Sequence, residues 1–399
     1  NDGKKIYYPS NYQSEFKSVR MRNLETGKDS LLIPNINWDV SNIFESPDEK
    51  WLTFNANEDG VFKQFVHHIA SGTTKTIENL PFGSVKNAYF HRNKNSTIGF
   101  NFMHVSGATD IYSYDLGTEE LTKWFSSKSE KEFPDPEIIH YPTFDIDTIS
   151  KTTREITAYY HKPINTSKTP YPVIIDIHGG PNVQAFPEQL MPMPLELKRG
   201  FALLVPNVRG SKGYGRTFSE LDNGILREDA VKDIGALLDW VEKQPDLDAN
   251  NIFVRGGSYG GYMAYACAMH YSNRLKGVIS FIGPSDFIAG EKDKNKNADR
   301  SSEYGDINNP EMRQFLASIS PINNVDKINV PLFIYHGVND PRVKVSESRN
   351  MVEAFKKQGK EFWYLEASNE GHGFKRPWNF MYTTFAEFEF IDNLMEKGN

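Results

Sequence analysis

The chain has 399 residues, enough for about two to three domains, and its 45 basic and 52 acidic side chains give a net charge of −7. That balance, without a basic cluster, argues against a nucleic-acid-binding protein. No apolar run reaches the roughly 18 residues that a membrane-spanning helix needs, so none is expected. A single cysteine, Cys267, excludes an internal disulfide and leaves both a cytoplasmic and a periplasmic or secreted location open.

The first third of the chain repeats a pair of strand-like segments with a period of 46 residues. The paired positions are Ile6 and Val19, Leu52 and Phe65, and Ile98 and Ile111. Short strands with a period of about 45 residues are typical of β-propeller blades, whereas helical repeats would show a 3.6-residue pattern. Residues 1–133 are therefore predicted to form about three blades. A closed propeller needs about four to eight blades. We accordingly expect the chain to be the C-terminal portion of a longer protein, and to form an oligomer or associate with upstream blades.

The next informative segment is an apolar strand over 173–177 that runs into His178-Gly179-Gly180-Pro181. Glycines there would let the backbone approach a substrate without a side chain in the way. In α/β-hydrolases such a loop supplies one N–H group of the oxyanion hole. A plain turn after a strand is the alternative. Farther along, an amphipathic helix is predicted over 227–241, with apolar residues on one side.

The strongest single motif is Gly256-Gly257-Ser258-Tyr259-Gly260, which fits the nucleophile elbow G-x-S-x-G. An apolar strand is predicted before it, over 251–254, and a helix rich in Ala and Met after it, over 262–270. This strand, turn and helix are the context that the motif requires. Cys267 is predicted to pack in that helix. An ordinary turn serine is the alternative for Ser258.

A base and a carboxylate for Ser258 follow in the order that an α/β-hydrolase requires. Asp340 comes after a buried strand predicted over 330–335, and His372 comes after a further strand candidate over 362–367. Both would lie at the carboxyl ends of parallel strands, where ligands bind in open α/β sheets. His336 shares the loop of Asp340, but we assign it a structural or pocket-wall role. His372, between two glycines, is the better base candidate.

Taken together, the motifs between about residues 171 and 380 resemble the prolyl oligopeptidase family of serine peptidases. The oxyanion loop is most similar to the branch of acylaminoacyl-peptidases and dipeptidyl-peptidase-5-like enzymes. The motifs are His178-Gly179-Gly180-Pro181, Asn207 to Gly215, Gly256 to Tyr262, His336 to Val343, and Gly371-His372-Gly373-Phe374.

The resemblance implies an α/β-hydrolase catalytic domain over 134–399, preceded by a partial β-propeller over 1–133. It implies roles for particular residues as well. These are a catalytic triad of Ser258, Asp340 and His372, oxyanion donors at Gly180 and Tyr259, and substrate contacts at Gly179, Tyr214, Tyr262 and Arg342.

The expected function is a serine peptidase that hydrolyses short peptides through an acyl-enzyme. A carboxylesterase with the same triad is one alternative, and a catalytically inactive binding protein is another. The ten histidines form no H-E-x-x-H motif or Cys-His set, so no metal or other cofactor is expected. The run from Lys292 to Arg300 mixes signs and is interpreted as a solvated loop.

Overall fold

The chain forms two compact units in the computed structural model, which describes residues 3–127, 134–164, 166, 169–188, 193–289 and 302–397. The first unit comprises 1–135, 185–191 and 212–219, and the second comprises 136–184, 192–211 and 220–399. The domain boundary expected after residue 133 stays a prediction. The run from Lys292 to Arg300 lies outside the described residues.

The first unit contains three antiparallel sheets, each a meander of consecutive strands. The first sheet has the order β1-β2-β3, the second β4-β5-β6-β7, and the third β11-β10-β9-β8. The strands are β1 (Lys5–Ser10), β2 (Ser18–Asn23), β3 (Asp29–Ile33), β4 (Val40–Glu45), β5 (Trp51–Glu58), β6 (Val61–His68), β7 (Thr73–Thr76), β8 (Gly83–His91), β9 (Lys94–His104), β10 (Thr109–Asp115) and β11 (Leu121–Ser126).

The 46-residue repeat corresponds to these sheets, as a partial propeller predicts. Ile6, Leu52 and Ile98 lie in β1, β5 and β9, and the second members of the pairs lie in β2, β6 and β10. Leu52 and Ile98 are fully buried: the core around Leu52 joins residues of the first and second sheets, and the core around Ile98 joins residues of the second and third. The second and third sheets have four strands, whereas the first has three, and within the described residues β1 pairs with β2 alone.

The second unit is built on an eight-stranded sheet of order β12-β13-β15-β14-β16-β17-β18-β19. The contacts of β13 with β12 and β15 are antiparallel, and all pairings from β15 to β19 are parallel. The strands are β12 (Glu137–Ile146), β13 (Thr153–His161), β14 (Tyr171–Ile177), β15 (Ala202–Asn207), β16 (Leu247–Gly257), β17 (Gly277–Phe281), β18 (Leu332–Gly337) and β19 (Phe362–Ala367).

Helices connect the parallel strands. They are α1 (Met193–Lys198), α2 (Arg216–Glu220), α3 (Asp229–Val241), α4 (Tyr259–Tyr271), α5 (Pro310–Ile319), α6 (Val345–Lys357) and α7 (Pro377–Glu396). The amphipathic helix predicted from Arg227 corresponds to α3, which buries its apolar side. The Ala- and Met-rich helix is α4, and it is buried almost all round, as its uniformly apolar composition requires. Across the described ranges, no helix is both long and apolar enough to cross a bilayer.

The parallel strands place the predicted site residues at one edge of the sheet. His178 directly follows β14, Ser258 follows β16, Asp340 lies just beyond β18, and His372 lies beyond β19. Strand β18 is buried along its whole length, which fixes the starting point of the loop that carries Asp340. Loops at the carboxyl ends of parallel strands are where an open α/β sheet binds its ligands.

Candidate active site

Ser258 lies at the tip of a sharp turn between β16 and α4. Its backbone has φ 56° and ψ −121°, a conformation that is strained for a residue with a side chain. The turn is held by a hydrogen bond from the Ser258 N–H to the Phe281 carbonyl (3.0 Å) and by one from the Gly261 N–H to the Ser258 carbonyl (2.9 Å). The hydroxyl therefore stands at the edge of the sheet on a rigid support.

The two outer glycines of G-x-S-x-G have a steric explanation in this turn. A Cβ added at Gly256 would overlap the carbonyl oxygen of Gly260, and one added at Gly260 would overlap the carbonyl oxygen of Ile177 in β14. Larger residues at either position would force the strand and the helix apart. The two glycines of the motif thus allow β14, β16 and α4 to pack closely around Ser258.

Ser258, His372 and Asp340 form a hydrogen-bonded chain. His372 Nε2 lies 3.1 Å from Ser258 Oγ, and His372 Nδ1 lies 2.8 Å from Asp340 Oδ2. A carboxylate can only accept, so Nδ1 carries the proton and Nε2 is left to accept from the Ser258 hydroxyl. A hydroxyl, an imidazole and a carboxylate in this order can generate a nucleophile. The three residues predicted as the triad are brought together.

The Asp340 carboxylate is enclosed and heavily hydrogen-bonded. Its Oδ1 accepts from the backbone N–H groups of Arg342 (2.7 Å) and Val343 (3.0 Å), while Oδ2 faces His372. Burial alone would raise the pKa of Asp340. Hydrogen bonds from His336, His372 and the two backbone groups outweigh burial and hold that pKa well below its usual range. Asp340 is therefore ionised at any ordinary assay pH.

The loop after β14 lies against the nucleophile turn. A Cβ added at Gly179 would be 3.2 Å from the Gly257 carbonyl oxygen and 3.6 Å from Ser258 Cβ. Tyr259 is the first residue of α4, and the first N–H groups of a helix have no partner within that helix. The predicted oxyanion donors, Gly180 and Tyr259, thus belong to two backbone segments that flank Ser258.

Gly180→Val tests the oxyanion loop. Gly180 has φ +134°, and an added Cβ would lie 2.9 Å from Val183 Cγ2 and 3.1 Å from the Asn182 nitrogen. The substitution is expected to turn the Gly180 N–H away and to lower kcat about 10²–10³-fold, the usual loss for one oxyanion donor. The measurement is kcat and the thermal midpoint side by side. A loss of stability that accounts for all the lost turnover would instead indicate a structural turn.

The His178 ring makes hydrogen-bond contacts that hold this loop in place. Its Nδ1 is 2.7 Å from the Gly179 carbonyl oxygen, and its Nε2 is 2.9 Å from Ser211 Oγ. Ser211 donates in turn to the Val208 carbonyl oxygen (2.6 Å). Burial lowers the pKa of His178 and so favours the neutral ring.

A buried charge cluster lies beneath the nucleophile turn. Arg255, which directly precedes Gly256, donates to Asp176 (2.6 Å), to Glu387 (3.0 Å) and to Glu196. Burial raises the pKa values of Glu196 and Glu387, and the adjacent guanidinium opposes that effect. The cluster ties β14, β16, α1 and α7 together at the base of the turn.

Another buried arginine, Arg227, lies beside the first residue of α4. It binds Asp222 and the Glu303 carboxylate (2.6 Å), and both its guanidinium and the Asp222 carboxylate contact the Tyr259 hydroxyl, at 3.4 and 3.3 Å. Burial raises the pKa of Asp222 to about 7, although the Arg227 charge opposes that shift. No sequence motif indicated this cluster, because Tyr259 and Glu303 lie 32 and 76 residues from Arg227 along the chain.

The residues expected to contact substrate have different environments. Tyr262 is fully buried in α4 and packs edge-on against Phe287, with ring centroids 4.6 Å apart. Arg342 uses its backbone N–H on Asp340, and its side chain is exposed. Tyr214 belongs to the first unit, where it packs against Trp38 and Phe218. Contacts of these residues and of Gly179 with substrate stay predictions.

Known proteins resemble this chain in both sequence and fold. It is 28% identical over 293 residues to dipeptidyl aminopeptidase BIII of Pseudoxanthomonas mexicana, covering 67% of this chain and 40% of that protein. It is 23% identical over 419 residues to dipeptidyl-peptidase 5 of Porphyromonas gingivalis, covering 99% of this chain and 58% of that protein. The acylamino-acid-releasing enzyme of Mus musculus is 26% identical over 257 residues, which cover 60% of this chain and 34% of that enzyme.

The fold comparison covers almost the whole chain. A puromycin-hydrolyzing peptidase of Mycobacterium tuberculosis superposes with a TM-score of 0.83 at 18% identity, over 98% of this chain and 61% of that one. The chain thus spans less than two thirds of the length of these relatives. The sequence profile of the prolyl oligopeptidase family matches residues 189–398, more than half of the chain. With an α/β-hydrolase sheet preceded by propeller-like blades, the chain belongs to the prolyl oligopeptidase family.

Proposed function

We propose that this protein is a serine peptidase whose α/β-hydrolase domain, over residues 134–399, cleaves short peptides. The observation that carries the proposal is the hydrogen-bonded chain from Ser258 through His372 to Asp340. All three residues follow the carboxyl ends of parallel strands in one sheet, β16, β18 and β19. The Asp340 carboxylate is held ionised, as a partner for a charged imidazole must be.

In the proposed reaction, His372 Nε2 takes the proton of the Ser258 hydroxyl while Ser258 Oγ attacks the peptide carbonyl carbon. The carbonyl oxygen becomes an oxyanion, which the N–H groups of Gly180 and Tyr259 would stabilise. The imidazolium then gives its proton to the leaving amine as the C–N bond breaks. Water, deprotonated by His372, hydrolyses the acyl-enzyme and restores Ser258.

The proposed substrate class rests on the relatives. Their names describe enzymes that release dipeptides or acylated amino acids. We propose the same class for this chain: short peptides that are cleaved at a bond near their N-terminus. The triad would cleave a carboxylic ester as well, so esterase activity is the second candidate.

An active-site-directed fluorophosphonate tests the proposal first. We expect it to form one adduct, on Ser258, that peptide mapping by mass spectrometry can locate. Ser258→Ala should abolish the adduct, and Ser150→Ala, at an exposed serine in the turn after β12, should not. Absence of labelling in the wild-type protein would favour the inactive binding protein.

A substrate panel tests the chemistry. Arylamides of single amino acids, acylated amino acids and dipeptides are compared with matched aryl esters. We expect kcat/KM on at least one acylated or dipeptidyl arylamide to exceed that on the free amino-acid arylamide. Turnover of esters without any arylamide would favour the carboxylesterase.

We also propose that a second copy of the chain covers the open side of the third sheet. Ile111, Trp124 and Tyr89 are 43%, 71% and 51% exposed on that sheet. Tyr89 and Trp124 line an open groove of about 660 Å³ there. Exposed apolar sheet surface of this kind favours association.

For residues 1–399 alone, the proposal predicts self-association in sedimentation velocity. A double substitution, Ile111→Lys with Trp124→Lys, should shift the protein toward the monomer, because it places charge on the open face. Glu49→Lys, at an exposed turn of the same unit, is the matched control. A fully folded wild-type monomer would contradict the covering of this face by a second copy.

A further inference from the structure

A second histidine contacts the carboxylate of the proposed triad. His336 is the penultimate residue of β18, and its side chain is fully buried. The sequence suggested only a structural or pocket-wall role for it. Its position beside Asp340 bears on the proposed peptidase reaction, and the inference below rests on that function.

The ring of His336 has defined partners on both nitrogens. Nε2 lies 3.0 Å from the Val343 carbonyl oxygen and 3.4 Å from Asp340 Oδ2, the same oxygen that faces His372. On the opposite side of the ring, Nδ1 lies 2.7 Å from Ser348 Oγ in α6.

These contacts settle the tautomer. Nε2 faces two atoms that can only accept, so it must carry a proton, and in the neutral ring Nδ1 is then the acceptor for the Ser348 hydroxyl. His336 therefore donates a hydrogen bond to the carbonyl of Val343 (3.0 Å), and the same N–H makes a longer contact, 3.4 Å, with Asp340 Oδ2. The N–H of Val343 in turn donates to Asp340 Oδ1 (3.0 Å). His336 thus restrains both carboxylate oxygens, one directly and the other through the Val343 backbone.

We propose that His336 is a positioning residue: it holds the Asp340 carboxylate at the angle at which Oδ2 meets His372 Nδ1. The triad carboxylate is enclosed and has no bulk water to orient it, so its orientation depends on protein donors. Two of these are backbone groups that fix Oδ1. Among the residues that the structure describes, His336 is the one side chain besides His372 that contacts Oδ2, at 3.4 Å.

The other charged groups around His336 are engaged elsewhere. Glu366, its register partner on β19, forms a bidentate ion pair with Arg349 (2.6 and 2.8 Å). The Glu347 carboxylate on α6 accepts from the backbone N–H groups of Ser285 (2.7 Å) and Asp286 (3.2 Å). The Nε2 atom of the ring accordingly faces Asp340 and Val343.

Two amide variants separate this role from plain packing. The side-chain nitrogen of His336→Gln can reach the place of Nε2 and keep a donor to Asp340. The shorter His336→Asn can reach Ser348 but not Asp340. We expect His336→Asn to lower kcat about tenfold with little change in KM, the effect of one lost hydrogen bond to a charged group. His336→Gln should recover most of that loss.

His161→Asn is the matched control, since His161 is equally buried in β13 and has no hydrogen-bond partner among the described residues. It should lower the thermal midpoint without lowering kcat in the folded protein. The proposal would be overturned if His336→Asn and His336→Gln lost kcat equally and if the loss in each matched its loss of folded protein.

A measurement that needs no turnover keeps this test separate from the proposed function. The proton between His372 Nδ1 and Asp340 should give a far-downfield ¹H NMR signal in the wild-type protein. We expect it to weaken or move upfield in His336→Asn and to persist in His336→Gln and His161→Asn. A signal unchanged in His336→Asn refutes the positioning role, whether or not the protein hydrolyses peptides.

Discussion

Ser258→Ala is expected to lower kcat about 10⁶-fold, the loss seen when the nucleophile of a serine peptidase triad is removed. Without the hydroxyl no acyl-enzyme can form, and His372 Nε2 loses the group that it faces at 3.1 Å. A residual rate over water should remain, because the oxyanion donors are backbone groups that the substitution leaves in place. The measurement is kcat on the best arylamide of the panel.

The fold of Ser258→Ala should be intact. The turn depends on the Ser258 backbone, whose N–H and carbonyl are both hydrogen-bonded, and on the flanking glycines, none of which changes. Alanine must adopt the same positive φ, so the strain of the turn is retained. Ser150→Ala controls for loss of an unrelated serine. Wild-type turnover in Ser258→Ala would show that another residue is the nucleophile.

The order of the site residues along the chain could be predicted because each of them lies in a recognisable local sequence pattern. The steric overlap of any Cβ at Gly256 or Gly260 explains why the elbow is visible in the sequence. Asp340 and His372 were identified from the strands predicted before them, and β19 matches its predicted range from Phe362 to Ala367. The 46-residue period was equally visible, since Ile6, Leu52 and Ile98 lie in corresponding strands, β1, β5 and β9, of the three sheets.

Other features depend on contacts between distant parts of the chain. Each later blade has a strand before the predicted pair, β4 and β8, whose mixed burial gives no clear alternation. The environments of Arg255 and Arg227 were also not predicted. A buried arginine is tolerable only when carboxylates surround it, and these come from residues up to 132 positions away, as between Arg255 and Glu387.

The two arginine clusters suggest why the turn can retain a strained serine. Backbone strain persists only where the surrounding structure over-determines it. Arg255 anchors the strand just before the elbow, and the Asp222–Arg227 pair contacts the hydroxyl of Tyr259 just after it. The residues on both sides of Ser258 are thus tied to buried charged groups, Arg255 by short charge-assisted hydrogen bonds and Tyr259 by longer contacts at its hydroxyl.

Asp340→Asn is the prediction with the next largest effect, a loss in kcat of about 10⁴-fold. The direction follows from the partners of Oδ1, the backbone N–H groups of Arg342 and Val343. Both are donors, so the amide oxygen of an asparagine must take the Oδ1 place, and its NH₂ group must face His372. That group donates to Nδ1 and places the ring proton on Nε2, where the imidazole can no longer accept from Ser258.

The measurement is kcat and KM for Asp340→Asn together with the thermal midpoint. KM should change little, because Asp340 does not contact the substrate in the proposed mechanism. The midpoint should fall only modestly: the amide oxygen still accepts both backbone donors, and the N–H of His336, which now faces the NH₂ group, keeps the Val343 carbonyl as its acceptor. Asp306→Asn, at a described turn outside the site, is the matched control for an Asp-to-Asn change. Turnover within about tenfold of wild type would mean that a different carboxylate orients His372, since loss of a single neutral contact costs no more than that.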